Sequence, residues 1–182
     1  MKVIETNFYD AKIIEPMVFQ DNRGFFTESY NKQKLIESDI ILDFVQDNHS
    51  LSKEAGVLRG LHYQLKPRAQ SKLVRVLSGA IYDVIVDIRK SSPTYGKWQG
   101  FILSADNKRQ LLVPKGFAHG FCTLVPDTQV FYKVDEYYSP EHDCGIIWND
   151  PTLQINWPVS EPILSAKDTL LKPFLDAENN FD

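Results

Sequence analysis

Short runs of alternating apolar and polar residues recur along the chain, separated by glycine, proline and asparagine. Alternation with a period of two is typical of β-strands that bury one face. Strands joined at regular intervals by Gly/Pro turns favour an all-β sandwich or barrel, and a small barrel can hold one ligand at its mouth. Strands are predicted over residues 13–19, 25–30, 44–50, 72–77, 80–89, 98–103, 109–113 and 129–137, with another starting within 114–121.

Two of these predicted strands carry polar residues where a plain core strand would not. In the 80–89 strand one face is apolar, whereas the other combines isoleucines with Asp83, Asp87 and Arg89. The 44–50 strand also carries several polar side chains. Such a mixed face indicates a lined interior rather than a solvated surface.

Helical signals are few. Asn31 is a suitable N-cap for a short helix over 31–38, and a second short helix is predicted from Ser165 to Leu171. Repeats, low-complexity stretches and linkers are absent, and a length of 182 residues suits one domain with a sizeable core. The chain is therefore predicted to form a single domain over residues 1–182.

Composition and charge exclude several classes of protein. A net charge of -4 gives no general attraction to nucleic acid or an anionic membrane, and no apolar run reaches membrane-spanning length. The N-terminus lacks the apolar core of a signal peptide. The only cysteines, Cys122 and Cys144, lack CxxC spacing, so neither a disulfide framework nor a thiolate metal site is indicated. We expect a soluble protein of the cytoplasm that binds neither nucleic acid nor membrane.

The segment Gly56–Gln64 is the strongest candidate for chemistry. His62 lies three residues after Arg59 and ten residues before Lys72, among apolar residues and glycines. A histidine exchanges protons near neutral pH, and neighbouring cations favour its neutral, basic form. Cations beside a base also indicate an anionic ligand. The residues by themselves equally allow a strand histidine that is hydrogen-bonded in the core.

A second segment resembles a signature of the cupin barrels. The spacing Pro114-x-Gly116-x-x-His119 matches the second cupin signature, but metal-binding cupins also have a His-x-His pair and a glutamate in the first. Here the matching stretch is His62-Tyr63-Gln64, and cationic residues follow it. One histidine ligand and the carboxylate are missing, and cations repel a metal ion. Dinucleotide, phosphate-loop and nucleophile-elbow motifs are also absent, so a barrel without metal or cofactor is predicted.

Six blocks in a fixed order carry a more specific resemblance, which covers nearly the whole chain. Together they resemble the dTDP-4-dehydrorhamnose 3,5-epimerase family. The blocks are Arg23-Gly24-Phe25-Phe26-x-Glu28, Gln46-Asp47-Asn48-His49-Ser50, Gly56 to Gln64, Lys72-Leu73-Val74-Arg75-Val76, Pro114-x-Gly116-Phe117-Ala118-His119-Gly120-Phe121 and Tyr132-Lys133.

The resemblance implies a metal-free cupin jelly roll that forms a homodimer and acts in dTDP-L-rhamnose synthesis without a cofactor. The family's substrate is a dTDP-linked 4-keto-6-deoxyglucose, epimerised at carbons 3 and 5. Protons on carbons beside a ketone are acidic because the carbanion delocalises as an enolate. Inverting such a carbon needs a base on one face and a proton donor on the other, and no redox step.

The resemblance also implies catalytic roles for four residues. His62 matches the family's base and Tyr132 its acid, since a phenol with a pKa near ~10 stays protonated at neutral pH. Lys72 suits the enolate oxygen. Asp168 matches the carboxylate that orients the histidine, although it also fits a capping position at a helix start, and Asp83 remains an alternative partner.

Further residues match the family's ligand-binding positions. Arginines suit the pyrophosphate, amides and carboxylates can read the thymidine edges, and an aromatic residue can stack on thymine. The matching residues are Arg23, Phe26, Glu28, Gln46, Asn48, Arg59, His119, Tyr138, Asp143 and Lys167. At Asp143 the family commonly has glutamate, which leaves this contact open.

Three other functions share parts of this pattern. A relative that inverts only one of the two carbons needs the same base and acid. A metal-dependent cupin oxygenase requires the ligands that are missing here. A non-catalytic sugar-nucleotide binding module would not need His62.

Overall fold

Thirteen β-strands and one short α-helix make up the regular structure of the chain, which a computed structural model describes over all residues from Met1 to Asp182. None of the helices has the length and apolarity that a membrane crossing requires. The elements are β1 (Lys2–Glu5), β2 (Lys12–Glu15), β3 (Val18–Asp21), β4 (Gly24–Thr27), α1 (Lys32–Ile36), β5 (Gln46–Ser52), β6 (Leu58–Gln64), β7 (Lys72–Ser78), β8 (Ala80–Asp87), β9 (Trp98–Ser104), β10 (Gln110–Val113), β11 (Phe117–Thr123), β12 (Thr128–Val134) and β13 (Asp143–Gly145). Two 3₁₀ helices lie at Pro140–His142 and Asp168–Leu170.

The strands form two antiparallel sheets and one separate hairpin. One sheet has the order β1-β2-β10-β7-β12-β5 and the other the order β13-β6-β11-β8-β9, while β3 pairs only with β4. The largest core cluster combines residues of both sheets, such as Val74 and Val130 from the first and Ile85 and Phe121 from the second. The sheets therefore pack face to face around this core, and the prediction of an all-β jelly-roll barrel is confirmed.

Part of the outer face of each sheet is also covered. Residues of the irregular C-terminal region, including Leu153 and Phe174, pack on β6 and β8. On the other sheet, Leu35 of α1 packs against Leu73 and Leu112. The outer face of β5 stays exposed, so polar side chains on strands can lie either there or in the interior between the sheets.

The two faces of β8 agree with the predicted division. Ile81 and Ile85 belong to the core between the sheets, whereas Val84 and Val86 face the C-terminal region. Asp83 lies on the interior face and is completely buried. The mixed face predicted from the alternation therefore points into the barrel.

Local sequence signals predict one helix correctly, but one predicted strand and one predicted helix differ from the structure, and β1, β6 and β13 are not predicted. The helix with Asn31 as its N-cap is confirmed, because the Asn31 side chain accepts a hydrogen bond from the Lys34 amide. A single strand over 13–19 is wrong, since Pro16 lacks an amide hydrogen and separates β2 from β3. The predicted helix after Ser165 is only the 3₁₀ helix Asp168–Leu170.

A β-bulge between β6 and β11 decides which side chains of the Gly56–Gln64 segment face the interior. Arg59 lies opposite Phe121 and His62 lies opposite His119, so Gly60 and Leu61 together face one residue of β11. In a regular strand, residues three apart point to opposite faces. The extra residue in β6 instead brings Arg59 and His62 to the same interior face.

The bulge requires glycine at position 60. Gly60 has a φ of +120°, a backbone angle that residues with a side chain rarely adopt. A Cβ there would lie 2.6 Å from the Gly120 Cα and 2.7 Å from the His119 carbonyl oxygen, both of them backbone atoms. A side chain at position 60 would therefore push β6 away from β11.

We expect Gly60→Ala to lower the free energy of unfolding by about 3 kcal/mol or more, because strain and backbone overlap add. Gly24→Ala is the matched control, since Gly24 has a similar φ of +128° but a Cβ at that position would meet no atom within 4 Å. It should lose only about 1–2 kcal/mol, from strain alone. Urea unfolding of both variants checks this, and equal losses would contradict the proposed overlap.

Candidate active site

Polar side chains occupy one end of the space between the two sheets. Lys72 lies on the same face of β7 as the core residues Val74 and Val76, and Tyr132 lies beside Val74 on the neighbouring strand β12. From the opposite sheet, β6 contributes His62. The barrel interior is thus apolar at its centre and polar at this end.

His62 is held by a buried carboxylate from a distant part of the chain. Its Nε2 lies 2.5 Å from Oδ1 of Asp168, which is only 3% exposed. The Ser165 hydroxyl donates to Oδ2 of Asp168 at 2.9 Å and accepts the Asp168 amide. The Ser165-x-x-Asp168 spacing is typical of a capped helix start. Here it also lets Ser165 hold the Asp168 carboxylate in place beside His62.

The state of Asp168 determines which nitrogen of His62 is basic. Burial raises the pKa of Asp168, but the hydrogen bond and charge of His62, together with the Ser165 hydroxyl, outweigh it and leave that pKa below its ordinary value. An ionised carboxylate accepts hydrogen bonds, so it favours the proton on Nε2. The neutral ring then presents an unprotonated Nδ1, which can act as a base.

His119 forms a second pair of the same kind with Asp83. Its Nε2 lies 2.5 Å from Oδ1 of Asp83, and both side chains are buried. Burial lowers the pKa of His119, and the charge of Asp83 opposes this only in part. Asp83 therefore contacts His119, whereas His62 pairs with Asp168. No group of three or more His, Cys, Asp or Glu side chains is arranged to hold a metal ion.

Lys72 and Tyr132 bring two further titrating groups to this end of the barrel. Lys72 is 9% exposed, and its Nζ makes one long contact of 3.4 Å with the His62 carbonyl oxygen. Burial lowers the pKa of Lys72 to about 8, against the charges of Asp143 and Asp83. Burial also raises the pKa of Tyr132, so its phenol remains protonated at neutral pH.

Three more of the predicted site residues lie beside these groups. Asn48 is opposite Tyr132 in the pairing of β5 with β12, and its side-chain oxygen accepts from Gln46 at 2.9 Å. Arg59 reaches β5, where its Nε donates to the Ser52 hydroxyl at 3.3 Å. Amides and a guanidinium group therefore line the interior along β5.

Asp143 connects two other predicted residues at the edge of the site. Its Oδ2 accepts a hydrogen bond from the Tyr138 hydroxyl at 2.8 Å and forms an ion pair with Lys167. Lys167 directly precedes Asp168, the partner of His62. The shorter carboxylate at position 143 thus holds Tyr138 and Lys167 together next to the base.

The structure does not bring Arg23, Phe26 and Glu28 together with His62. Arg23 and Phe26 lie on the separate hairpin of β3 and β4, where Arg23 pairs with Asp21 at 2.6 Å and Phe26 is 69% exposed. Glu28 follows the hairpin and pairs with Lys34 of α1 at 2.7 Å. These three residues therefore lie outside the barrel interior of their own chain.

Comparisons of the sequence and of the structure with known proteins all point to the same family. A family profile described as dTDP-4-dehydrorhamnose 3,5-epimerase matches residues 5–176. The chain is 55% identical to the dTDP-4-dehydrorhamnose 3,5-epimerase of Shigella flexneri over 98% of both chains.

Two solved structures are similar along nearly their whole length. The dTDP-4-dehydrorhamnose 3,5-epimerase of Bacillus anthracis, solved with TDP and PPi bound, is 66% identical, with a TM-score of 0.93 over 94% of this chain and 98% of that one. A dTDP-6-deoxy-D-glucose-3,5-epimerase of Legionella pneumophila, in complex with dTDP-4-keto-L-rhamnose, is 48% identical, with a TM-score of 0.92 over 96% and 93% of the two chains.

The buried amine of Lys72 should lower the stability of the fold in a defined pH range. Its pKa is about 8 in the folded protein and 10.5 ordinarily, so below pH 8 folding buries a charge that is hydrated in the unfolded chain. Above pH 10.5 the amine is neutral in both states and this cost disappears. We expect Lys72→Met to raise the free energy of unfolding at pH 7 by roughly 3 kcal/mol, a gain that shrinks as the pH rises from 8 to 10.5.

Urea unfolding of the wild type and Lys72→Met across this pH range measures the difference. Lys133→Met is the control, because Lys133 lies on the same sheet but pairs with the exposed Asp47 outside the barrel. A Lys72→Met variant that is less stable than the wild type by the same amount at every pH would contradict the expectation.

Proposed function

Since the chain belongs to the dTDP-4-dehydrorhamnose 3,5-epimerase family, we propose that it inverts carbons 3 and 5 of dTDP-4-dehydro-6-deoxy-D-glucose at the polar end of its barrel. The product is dTDP-4-dehydro-L-rhamnose, in dTDP-L-rhamnose biosynthesis. The enzyme is an isomerase: a proton leaves each carbon and returns on the opposite face, so the substrate is neither oxidised nor reduced.

The observation that carries this proposal is that His62 and Tyr132 lie on opposite walls of the barrel. His62 belongs to the five-stranded sheet and Tyr132 to the six-stranded sheet, and both side chains face the space between them. A sugar ring held there has His62 on one face and Tyr132 on the other. Inversion needs this arrangement, because the new proton must arrive opposite the one that was removed.

His62 acts as the base in this proposal. Its Nδ1 removes the proton beside the carbonyl group, and the imidazolium that forms is stabilised by the Asp168 carboxylate 2.5 Å away. Tyr132 then delivers a proton from the other face, since its raised pKa keeps the phenol protonated. A positioned acid or base typically contributes about 10²–10⁴-fold to the rate.

The negative charge that develops on the carbonyl oxygen needs a stabilising partner. Lys72 is the buried cation of the site, and a charge fixed in a dry environment stabilises an enolate more than a hydrated one does. His119, held by Asp83, is a second polar contact on the same side as His62. In this proposal Arg59 binds the pyrophosphate, and Gln46, Asn48, Tyr138 and Lys167 contact the rest of the nucleotide.

We further propose that the enzyme is a homodimer in which the hairpin of one chain completes the site of the other. Phe19, Phe25 and Phe26 are 61%, 58% and 69% exposed on that hairpin, which is a large apolar surface for a chain on its own. Arg23 and Glu28 lie on or next to it, away from the His62 of their own chain. A two-fold axis would give both sites the same contribution.

We also propose a cytoplasmic location. The thiols of Cys122 and Cys144 are free, as is usual for proteins of the reducing cytoplasm.

Hydrogen exchange during turnover tests the reaction and the base. In D₂O we expect the wild type to introduce deuterium at carbons 3 and 5 of dTDP-4-keto-6-deoxyglucose, as followed by NMR, and His62→Ala to lose both exchanges by at least about 10²-fold. His49→Ala is the control, because His49 is exposed on the outer face of β5. Label at one carbon only would indicate a single-carbon epimerase. Bound substrate without any label would indicate a binding module.

Hybrid dimers test the contribution of the second chain. His62→Ala and Arg23→Ala are expressed together with different affinity tags, and the hybrid is purified through both tags. If Arg23 acts in the partner's site, one of the two sites is intact, and activity should reach about half that of the wild type at low substrate concentration.

The control hybrid joins a wild-type chain to one that carries both substitutions. In this hybrid each site contains one substitution if Arg23 acts across the dimer, so activity should be low. The opposite result, an active control hybrid and an inactive first hybrid, would place Arg23 in the site of its own chain.

A further inference from the structure

The connection between β12 and the following 3₁₀ helix lacks regular hydrogen bonding, yet it carries Tyr138. Tyr138 is 55% exposed, and its side chain makes one hydrogen bond, from the hydroxyl group to Asp143. A loop of this kind is expected to sample several conformations, and ordering it on binding costs conformational entropy. Some other contact must therefore fix its backbone.

Gln64 makes that contact, and the reaction described above gives it no role. Its side chain is 4% exposed. The Nε2 donates to the Tyr137 carbonyl oxygen at 3.2 Å and to the Arg68 carbonyl oxygen at 2.6 Å, while Oε1 accepts the Ser139 amide at 2.8 Å. The side-chain amide of Gln64 thus forms three hydrogen bonds to backbone groups. Two of these groups belong to the residues directly before and after Tyr138.

The backbone amide of Tyr138 itself is bound by a residue of the other sheet. Gln46 accepts the Tyr138 amide hydrogen at 3.1 Å and donates its own amide to Asn48. Three consecutive residues, 137 to 139, are therefore anchored by two glutamine side chains on facing sheets. This replaces the strand pairing that the loop lacks.

Gln64 also connects the loop to the base. It lies two residues after His62 on β6, so both side chains share one face of the strand, which pairs with β11 at His62 and with β13 from His62 to Gln64. The position of the Tyr138 backbone is therefore set relative to His62 by a short rigid segment. The nucleotide that Tyr138 contacts is thereby bound at a set distance from the base, so the loss of this anchor should weaken nucleotide binding.

We propose that Gln64 is a positioning residue that fixes the 137–139 backbone so that Tyr138 is presented to the nucleotide part of the substrate. The inference rests on the proposed function, in which Tyr138 contacts the nucleotide. Gln64 touches no reacting atom and acts only through the loop.

The test measures dTDP affinity and turnover in Gln64→Met, which keeps the size of the side chain, adds no charge and removes all three hydrogen bonds. We expect the Kd for dTDP and the KM for the nucleotide sugar to rise about five- to tenfold, with kcat within about twofold of the wild type. Thr128→Val is the control: it removes a buried hydrogen bond to the Val125 carbonyl oxygen at the opposite end of β12. It should lower Tm without changing the Kd.

A double-mutant cycle separates positioning from a general loss of structure. In a Tyr138→Ala background, Gln64→Met should change the Kd for dTDP by less than about twofold, because the residue through which it acts is gone. The same factor with and without Tyr138, an unchanged Kd, or a loss in kcat alone would overturn the proposal.

A substitute variant and a separate reading of the two experiments complete the test. If Gln64→Met does not fold, Gln64→Asn takes its place, since it keeps the amide but is too short by one methylene group to reach the loop. The dTDP cycle does not depend on catalysis. Absence of exchange in the wild type would therefore overturn the proposed function, whereas additive effects on dTDP binding would overturn only the role of Gln64.

Discussion

The close contact between Gly60 and Gly120 is the constraint on which the site depends. The two strands approach so nearly that a Cβ at position 60 would overlap the backbone of β11. This approach allows the bulge, and the bulge turns Arg59 and His62 to the same side of β6. Without it, one of the two would point toward the covered outer face. The proposed phosphate-binding cation and the proposed base can thus contact one ligand from a single strand.

The two histidine–carboxylate pairs differ in a way that matches their suggested parts in the reaction. His62 and His119 are cross-strand neighbours, and each binds its carboxylate through Nε2. The side chain of His62 is 30% exposed, so a ligand can reach it, whereas that of His119 is 7% exposed. The carboxylate that binds His62 comes from the 3₁₀ helix Asp168–Leu170, while the one that binds His119 comes from β8 in the same sheet. One pair is open to substrate and the other is built into the wall.

In the proposed mechanism, Lys72 is a residue at which stability and activity oppose each other. An amine with a single long hydrogen bond at 9% exposure is an unfavourable group to bury, and its pKa of about 8 reflects this. The apolar core beside it has the opposite character, with Val74 fully buried on the same strand. Stabilisation of an enolate is a physical reason to keep such a residue, since the same dehydration that disfavours the amine strengthens its interaction with a developing anion.

The sequence by itself indicated the all-β class, most of the longer strands and the interior face of β8, because alternation depends only on neighbouring residues. It did not indicate β1, β6 or β13. Through the order of its blocks it also indicated the family, and with it His62, Tyr132 and Lys72. Only the tertiary structure decided that His62 pairs with Asp168, 106 residues away, and that Asp83 pairs with His119. It alone separated Arg23, Phe26 and Glu28 from the interior and revealed that Gln64 holds the backbone on both sides of Tyr138. These facts arise from register, a bulge and contacts between distant segments, which no local pattern of residues encodes.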